Sequence, residues 1–154
     1  METKQDMVRI MIDRCRRHGM PFYAGMRMND RHLGSGAKSH YRPWVQKLVD
    51  AHPECELKEF PGGVDYKYDY VREPILAFVR ELLDRYEVDG LEFDWPRWCH
   101  VFKSSEAVAN APLLTDFTRT ARRLLDEAAQ RRGCGRLPLG VRIAQTMDEN
   151  LHLG

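Results

Sequence analysis

The sequence predicts an α/β fold, and more narrowly a partial (β/α)8 TIM barrel of about four parallel strands joined by crossover helices. Two observations carry this. Amphipathic helical stretches alternate with short strands in the order helix, strand, four times over, and such alternation produces a parallel sheet. The strands are apolar at every second position only, with charged residues or glycine between. A parallel strand covered by helices on both faces would be apolar throughout.

The elements follow in order. Residues 3–18 place Met7, Val8, Met11, Ile12 and Cys15 on one helical stripe, and Gly19 closes it. Residues 21–30, PFYAGMRMND, form a strand. Residues 31–42 form a loop containing Gly34, Ser35 and Gly36. Pro43 opens a short helix carrying Trp44, Val45, Leu48 and Val49, which ends before Pro53. Residues 61–68, PGGVDYKY, are a turn leading into a short strand. A helix over residues 70–86 buries Val71, Ile75, Phe78, Val79, Leu82 and Leu83, with Pro74 near its first turn. Residues 88–95, VDGLEFDW, are the clearest strand. Thr115 caps a helix over residues 116–132 that buries Phe117, Ala121, Leu124, Leu125 and Ala128 and ends at Gly133. Residues 137–144, LPLGVRIA, are the last strand.

Period-two alternation puts Tyr23, Gly25, Arg27 and Asn29 on one face of their strand, Gly90, Glu92 and Asp94 on one face of theirs, and Gly140 and Arg142 on one face of the last. The opposite faces are apolar and call for helices. A polar face with recurring small residues fits a barrel interior, which disfavours a flavodoxin-like or other open sheet. It also places Asn29 and Asp94 near the C-terminal ends of their strands, where barrel active sites lie. A whole barrel takes about 250 residues. At 154 residues the chain reads as a single domain, roughly half of one. A homodimer or the remainder of a longer barrel would be needed to close it, because open sheet edges invite association.

RYEVDGLEFDWPRW, preceded by DYVREPILAFVRELL, resembles the third helix and fourth strand of the glycoside hydrolase-like (β/α)8 barrel proteins of bacteria. FYAGMRMND is similar to the second strand of that group. LTDFTRTARRLLDEAAQRRG with LPLGVRIAQT is similar to its fourth helix and fifth strand. The likeness covers about residues 20–146 and implies a chain spanning the first helix to the fifth strand. Pro74 departs from it, standing where the group has a polar or aromatic residue. The resemblance implies a protein that hydrolyses O-glycosidic bonds, with no cofactor.

Glycoside hydrolysis uses two carboxyl groups, one an acid and the other a nucleophile or base. Asp94, ending its strand on the polar face beside Trp95, is the first catalytic candidate. Glu92 is the second, two residues earlier on the same face at a Cα separation of about 6.6 Å, with support of Asp94 as its other role. Arg27, Asn29, Asp30 and Arg142 are candidate substrate contacts, the arginines because their fork fits carboxylates and hydroxyls. Arg27, Asn29 and Asp30 equally suit an internal ion-pair network with the two acids, and Arg142 suits that network better than a substrate. Arg97, Trp98 and His100 follow the key strand in a loop at the same end and join the candidate set. Tyr66 and Tyr68 suit sugar stacking or the core. The rival from another class is a non-catalytic carbohydrate-binding or assembly module using the same polar face.

Composition excludes other classes. With 24 Lys+Arg against 23 Asp+Glu the net charge is +1, which argues against a dedicated nucleic-acid binder. Arg122, Arg123, Arg131 and Arg132 read as a solvated helix face. Hydrophobic residues at 43% and charged residues at 31% provide for a core. No apolar run reaches the roughly 18–20 residues of a membrane span. No secretory leader precedes the first helix, so a cytoplasmic location is the default expectation. Cys15, Cys55, Cys99 and Cys134 are too scattered for a zinc site and read as thiols. His32 and His40 lack partners for a metal, and GSGAKS misses the phosphate-loop spacing.

Overall fold

A computed structural model describes residues 6–29, 43–60, 63–96 and 100–143. The chain is α/β. Helix α1 (Met7–Arg17) leads to strand β1 (Tyr23–Arg27), then α2 (Pro43–Ala51) and a 3-10 turn (Pro53–Cys55). Helix α3 (Asp69–Arg85), strand β2 (Gly90–Asp94), helix α4 (Ala107–Arg132) and strand β3 (Leu139–Arg142) complete it. The strands form one parallel sheet in the order β1-β2-β3.

This corrects the expected partial (β/α)8 barrel of about four strands: the described chain forms an open sheet of three. The missing strand is the one read at residues 61–68. Among the described residues there, the only pairing is an isolated antiparallel bridge between Glu56 and Val64. Leu57 N–H bonds the Gly63 carbonyl, Asp65 N–H bonds the Cys55 carbonyl, and Tyr66 N–H bonds the Val101 carbonyl. The backbone groups a strand would offer to a sheet are thus taken by neighbouring loops. Nor do the side chains alternate between two faces as in a strand: Val64, Asp65 and Tyr66 are all buried.

The helices follow their sequence signals with two shifts. Asp6 caps α1, its carboxylate accepting Arg9 N–H, and Gly19 follows in the left-handed region at φ 64°. The last helix begins at Ala107 rather than after Thr115. Thr115 lies inside it and its hydroxyl donates back to the Ala111 carbonyl, so the residue read as a cap bonds its own helix. Pro74 and Pro112 both lie inside helices. Gly133 ends α4 at φ 61°.

The apolar face of the sheet carries the core. Leu91 and Phe93 are fully buried, against Val71, Val79, Ala121 and Leu125 from α3 and α4. Each such side chain contributes roughly 1.5–3 kcal/mol of burial. Phe78, expected inside, is 53% exposed. Arg132 ties α4 to the turn after α3, donating to the carbonyls of Leu83, Tyr86 and Val88 at 2.6–2.9 Å. Arg122 donates to the Leu137 carbonyl and pairs with Asp126, and Arg131 pairs with Asp84. Arg122 and Arg132 therefore anchor backbone, which a solvated-face reading did not anticipate, whereas Arg131 lies on an exposed face as that reading has it.

Candidate functional site

The sheet's other face is polar and open: Tyr23, Gly25, Arg27 and Arg142 on it are exposed. Strand register sets its rows. Gly25 pairs with Glu92 and Glu92 with Gly140. Arg27 pairs with Asp94 and Asp94 with Arg142. Two arginines on the outer strands thus flank one aspartate on the central strand. Arg142 Nη1 lies 3.0 Å from Asp94 Oδ2. Asp94 is largely buried, and its Oδ1 has no hydrogen-bond partner among the described residues.

Glu92 lies between two glycines. A Cβ at Gly140 would stand 3.6 Å from Glu92 Cγ, and one at Gly25 would meet nothing within 4 Å. The side chain therefore rests in a trough on the open face, two residues before Asp94. Tyr23 was placed on this face by alternation but not singled out as a contact. Its ring, 47% exposed, covers Gly90: a Cβ there would fall 2.3 Å from the ring. The ring shares the open face with Glu92, one row along, and Asp94, two rows along. Its signal in the sequence was the phase it shares with Arg27 and Gly25.

The structure separates other candidates from this face. Asn29 is buried, and its amide is fully engaged with backbone: Nδ2 donates to the carbonyls of Val64 (3.0 Å) and His100 (2.6 Å), and Oδ1 accepts Val64 N–H. The ring of His100 stacks on Phe60 at 3.3 Å between centroids. Trp95 turns into an aromatic cluster, edge-on to Tyr66, Phe93 and Phe117, so it is not presented for stacking. Tyr66 is fully buried and donates its hydroxyl to the Met28 carbonyl, while Tyr68 stacks on Tyr70. Asp30, Arg97, Trp98, His32, His40 and Cys99 lie outside the described residues.

Two buried ionisable groups were not foreseen. Asp65 is wholly buried, with Oδ1 accepting Lys67 N–H and Oδ2 without a partner among the described residues, and burial holds its carboxyl above its ordinary value. Burial likewise pushes the Cys55 thiol up to about 11. Cys15, Cys55 and Cys134 are free thiols. Among the described residues no three His, Cys, Asp or Glu side chains converge as metal ligands, and no helix is long and apolar enough to cross a membrane.

No protein-family model matches the chain, and no curated protein matches it.

Proposed function

We propose that the chain is a glycoside hydrolase-like protein acting on carbohydrate through the open polar face of its sheet. The observation that carries this reading is the Arg27–Asp94–Arg142 row, with Glu92 in the adjacent row and the exposed ring of Tyr23 on the same face. Asp94 acts as the principal carboxylate, acid/base or nucleophile, and Glu92 as the second. Their spacing along one strand face falls within the range that glycosidases use. Arg27 and Arg142 orient Asp94 and donate to sugar hydroxyls. The resemblance of residues 85–98 to the glycoside hydrolase-like group supports the same chemistry.

The rival reading is a carbohydrate-binding module without hydrolysis. It is favoured by the ion pair itself, since a carboxylate held by Arg142 binds hydroxyls without any proton transfer.

The deciding experiment uses a panel of oligosaccharides, with reducing ends and bound ligand measured on the same samples. Hydrolysis that is lost in Asp94→Asn, with far-ultraviolet circular dichroism unchanged, supports the enzyme. Binding without new reducing ends supports the module. Neither binding nor hydrolysis across the panel overturns both.

A further inference from the structure

A parallel sheet has two unlike edges, and here, among the described residues, each is unmet by a further strand. Met28 N–H bonds the Asp94 carbonyl, so by the alternation of a parallel ladder the backbone groups of Gly25 and Arg27 point away from β2. Leu91 N–H bonds the Pro138 carbonyl, which likewise directs the backbone groups of Leu139 and Val141 outward. Among the described residues no strand pairs with either edge. Beside the β1 edge runs a groove of about 620 Å³, walled by Met26, Trp44, Ala77 and Phe78 with Arg27 and Glu81 on its rim. Phe78 and Trp44 are 53% and 40% exposed there. At the other edge Val141 and Ile143 are 43% and 65% exposed.

We propose that these edges are each other's partners: β3 of a second copy adds in parallel to β1, head to tail, and lays its apolar side chains in the groove. Strand addition supplies backbone hydrogen bonds, and pockets for alternate side chains supply specificity. The strand that fits must be apolar at every second position on the groove side and small or polar between, which describes Leu139–Arg142. Charge selects the register. A level pairing would set the second copy's Arg142 against Arg27, like against like. A two-residue stagger instead sets Arg27 beside the second copy's Gly140. Glu92, which has no ion-pair partner among the described residues, lies just across that glycine. The Cα atoms of Arg27 and the second copy's Glu92 are then about 10 Å apart, two strand spacings, a gap that the two long side chains close. The contact is heterologous, so each copy keeps one edge for donating and one for accepting.

The test exploits that asymmetry. Gly25→Pro removes an outward N–H from β1, at a position with open space around it, and leaves the ladder to β2 intact. Phe78→Glu blocks the same groove from α3 without touching the sheet. Val141→Lys blocks the β3 edge. Sedimentation equilibrium in the micromolar range should give the wild type a mass at least twice the 18.0 kDa monomer. Each single variant, folded by circular dichroism, should fall to the monomer. An equimolar mixture of Val141→Lys with either Gly25→Pro or Phe78→Glu should return to twice the monomer mass, because one intact edge of each kind remains. A monomeric wild type, a single variant that keeps the wild-type mass, or a mixture that stays monomeric overturns the proposal.

Discussion

The side-chain amide of Asn29 and the backbone of Val64 are bonded reciprocally: Asn29 Nδ2 donates to the Val64 carbonyl and Val64 N–H donates to Asn29 Oδ1, both at 3.0 Å. A third bond from Nδ2 reaches the His100 carbonyl. One buried amide thus replaces the strand pairing that residues 63–66 do not make, and joins three segments remote in the chain. Asn29→Ala leaves buried backbone groups without partners, at about 1–3 kcal/mol for each. We expect a loss of about 3 kcal/mol, and a larger one for Asn29→Asp, whose carboxylate would face two carbonyls. Urea denaturation checks both. A loss under about 1 kcal/mol would show that water or a neighbour replaces the amide.

Asp65 makes a pH-dependent prediction. Its folded-state value lies above the unfolded one because burial disfavours the charged form. As pH rises past the ordinary carboxylate value, the unfolded chain releases this proton first, so Asp65 lowers stability progressively up to its folded value. Below the ordinary value the residue is protonated in both states and the penalty is absent. Asp65→Asn does not titrate. The variant's melting temperature relative to wild type should therefore climb from acid to neutral pH, as read by thermal melts across that range. A constant offset would show that the carboxyl titrates normally.

Arg132→Ala should destabilise by about 2 kcal/mol, since charged hydrogen bonds to three carbonyls are lost. Arg131→Ala breaks only an exposed pair with Asp84 and should cost under about 1 kcal/mol. Chemical denaturation of the two variants side by side separates a structural anchor from a surface charge. Equal losses would mean that the carbonyl contacts contribute nothing.

Gly90→Ala places a methyl against the Tyr23 ring and 3.1 Å from the Pro138 carbonyl oxygen. Crowding of this kind costs roughly 1–3 kcal/mol. In a Tyr23→Ala background the cost should shrink, leaving the contact with Pro138. A double-mutant cycle in urea measures the coupling. Additivity would show that the ring swings aside freely.

Alternation made the sheet legible in the sequence. Leu91 and Phe93 against Glu92 and Asp94 gave the face; the row in which Asp94 meets Arg142 comes from the strand register, which alternation does not record. The helical stripes were equally clear, apart from Phe78, which stands at the β1 edge on a groove that no described element fills. What misled was chemistry that reads alike in two settings. A polar residue at a strand end, such as Asn29, looks the same whether it serves a ligand or a backbone. Residues 63–68 alternate as a strand does, yet their partners are loops that no periodicity records. Thr115 has the chemistry of a cap and uses it within the helix. The burial of Asp65 depends on long-range packing, which leaves no local trace.

The order of the sheet also has a consequence in time. Every pairing in it is remote along the chain: the bond from Phe22 N–H to Asp89 Oδ2, which sets the entry to the β1–β2 register, closes a separation of 67 residues, and β2 meets β3 only beyond the 26 residues of α4. No hairpin is present among the described elements to nucleate the sheet locally. Helices form in about a microsecond, whereas distant strands must await loop closure. Folding should therefore pass through a stage in which α3 and α4 are helical while Leu91 and Phe93 still face water.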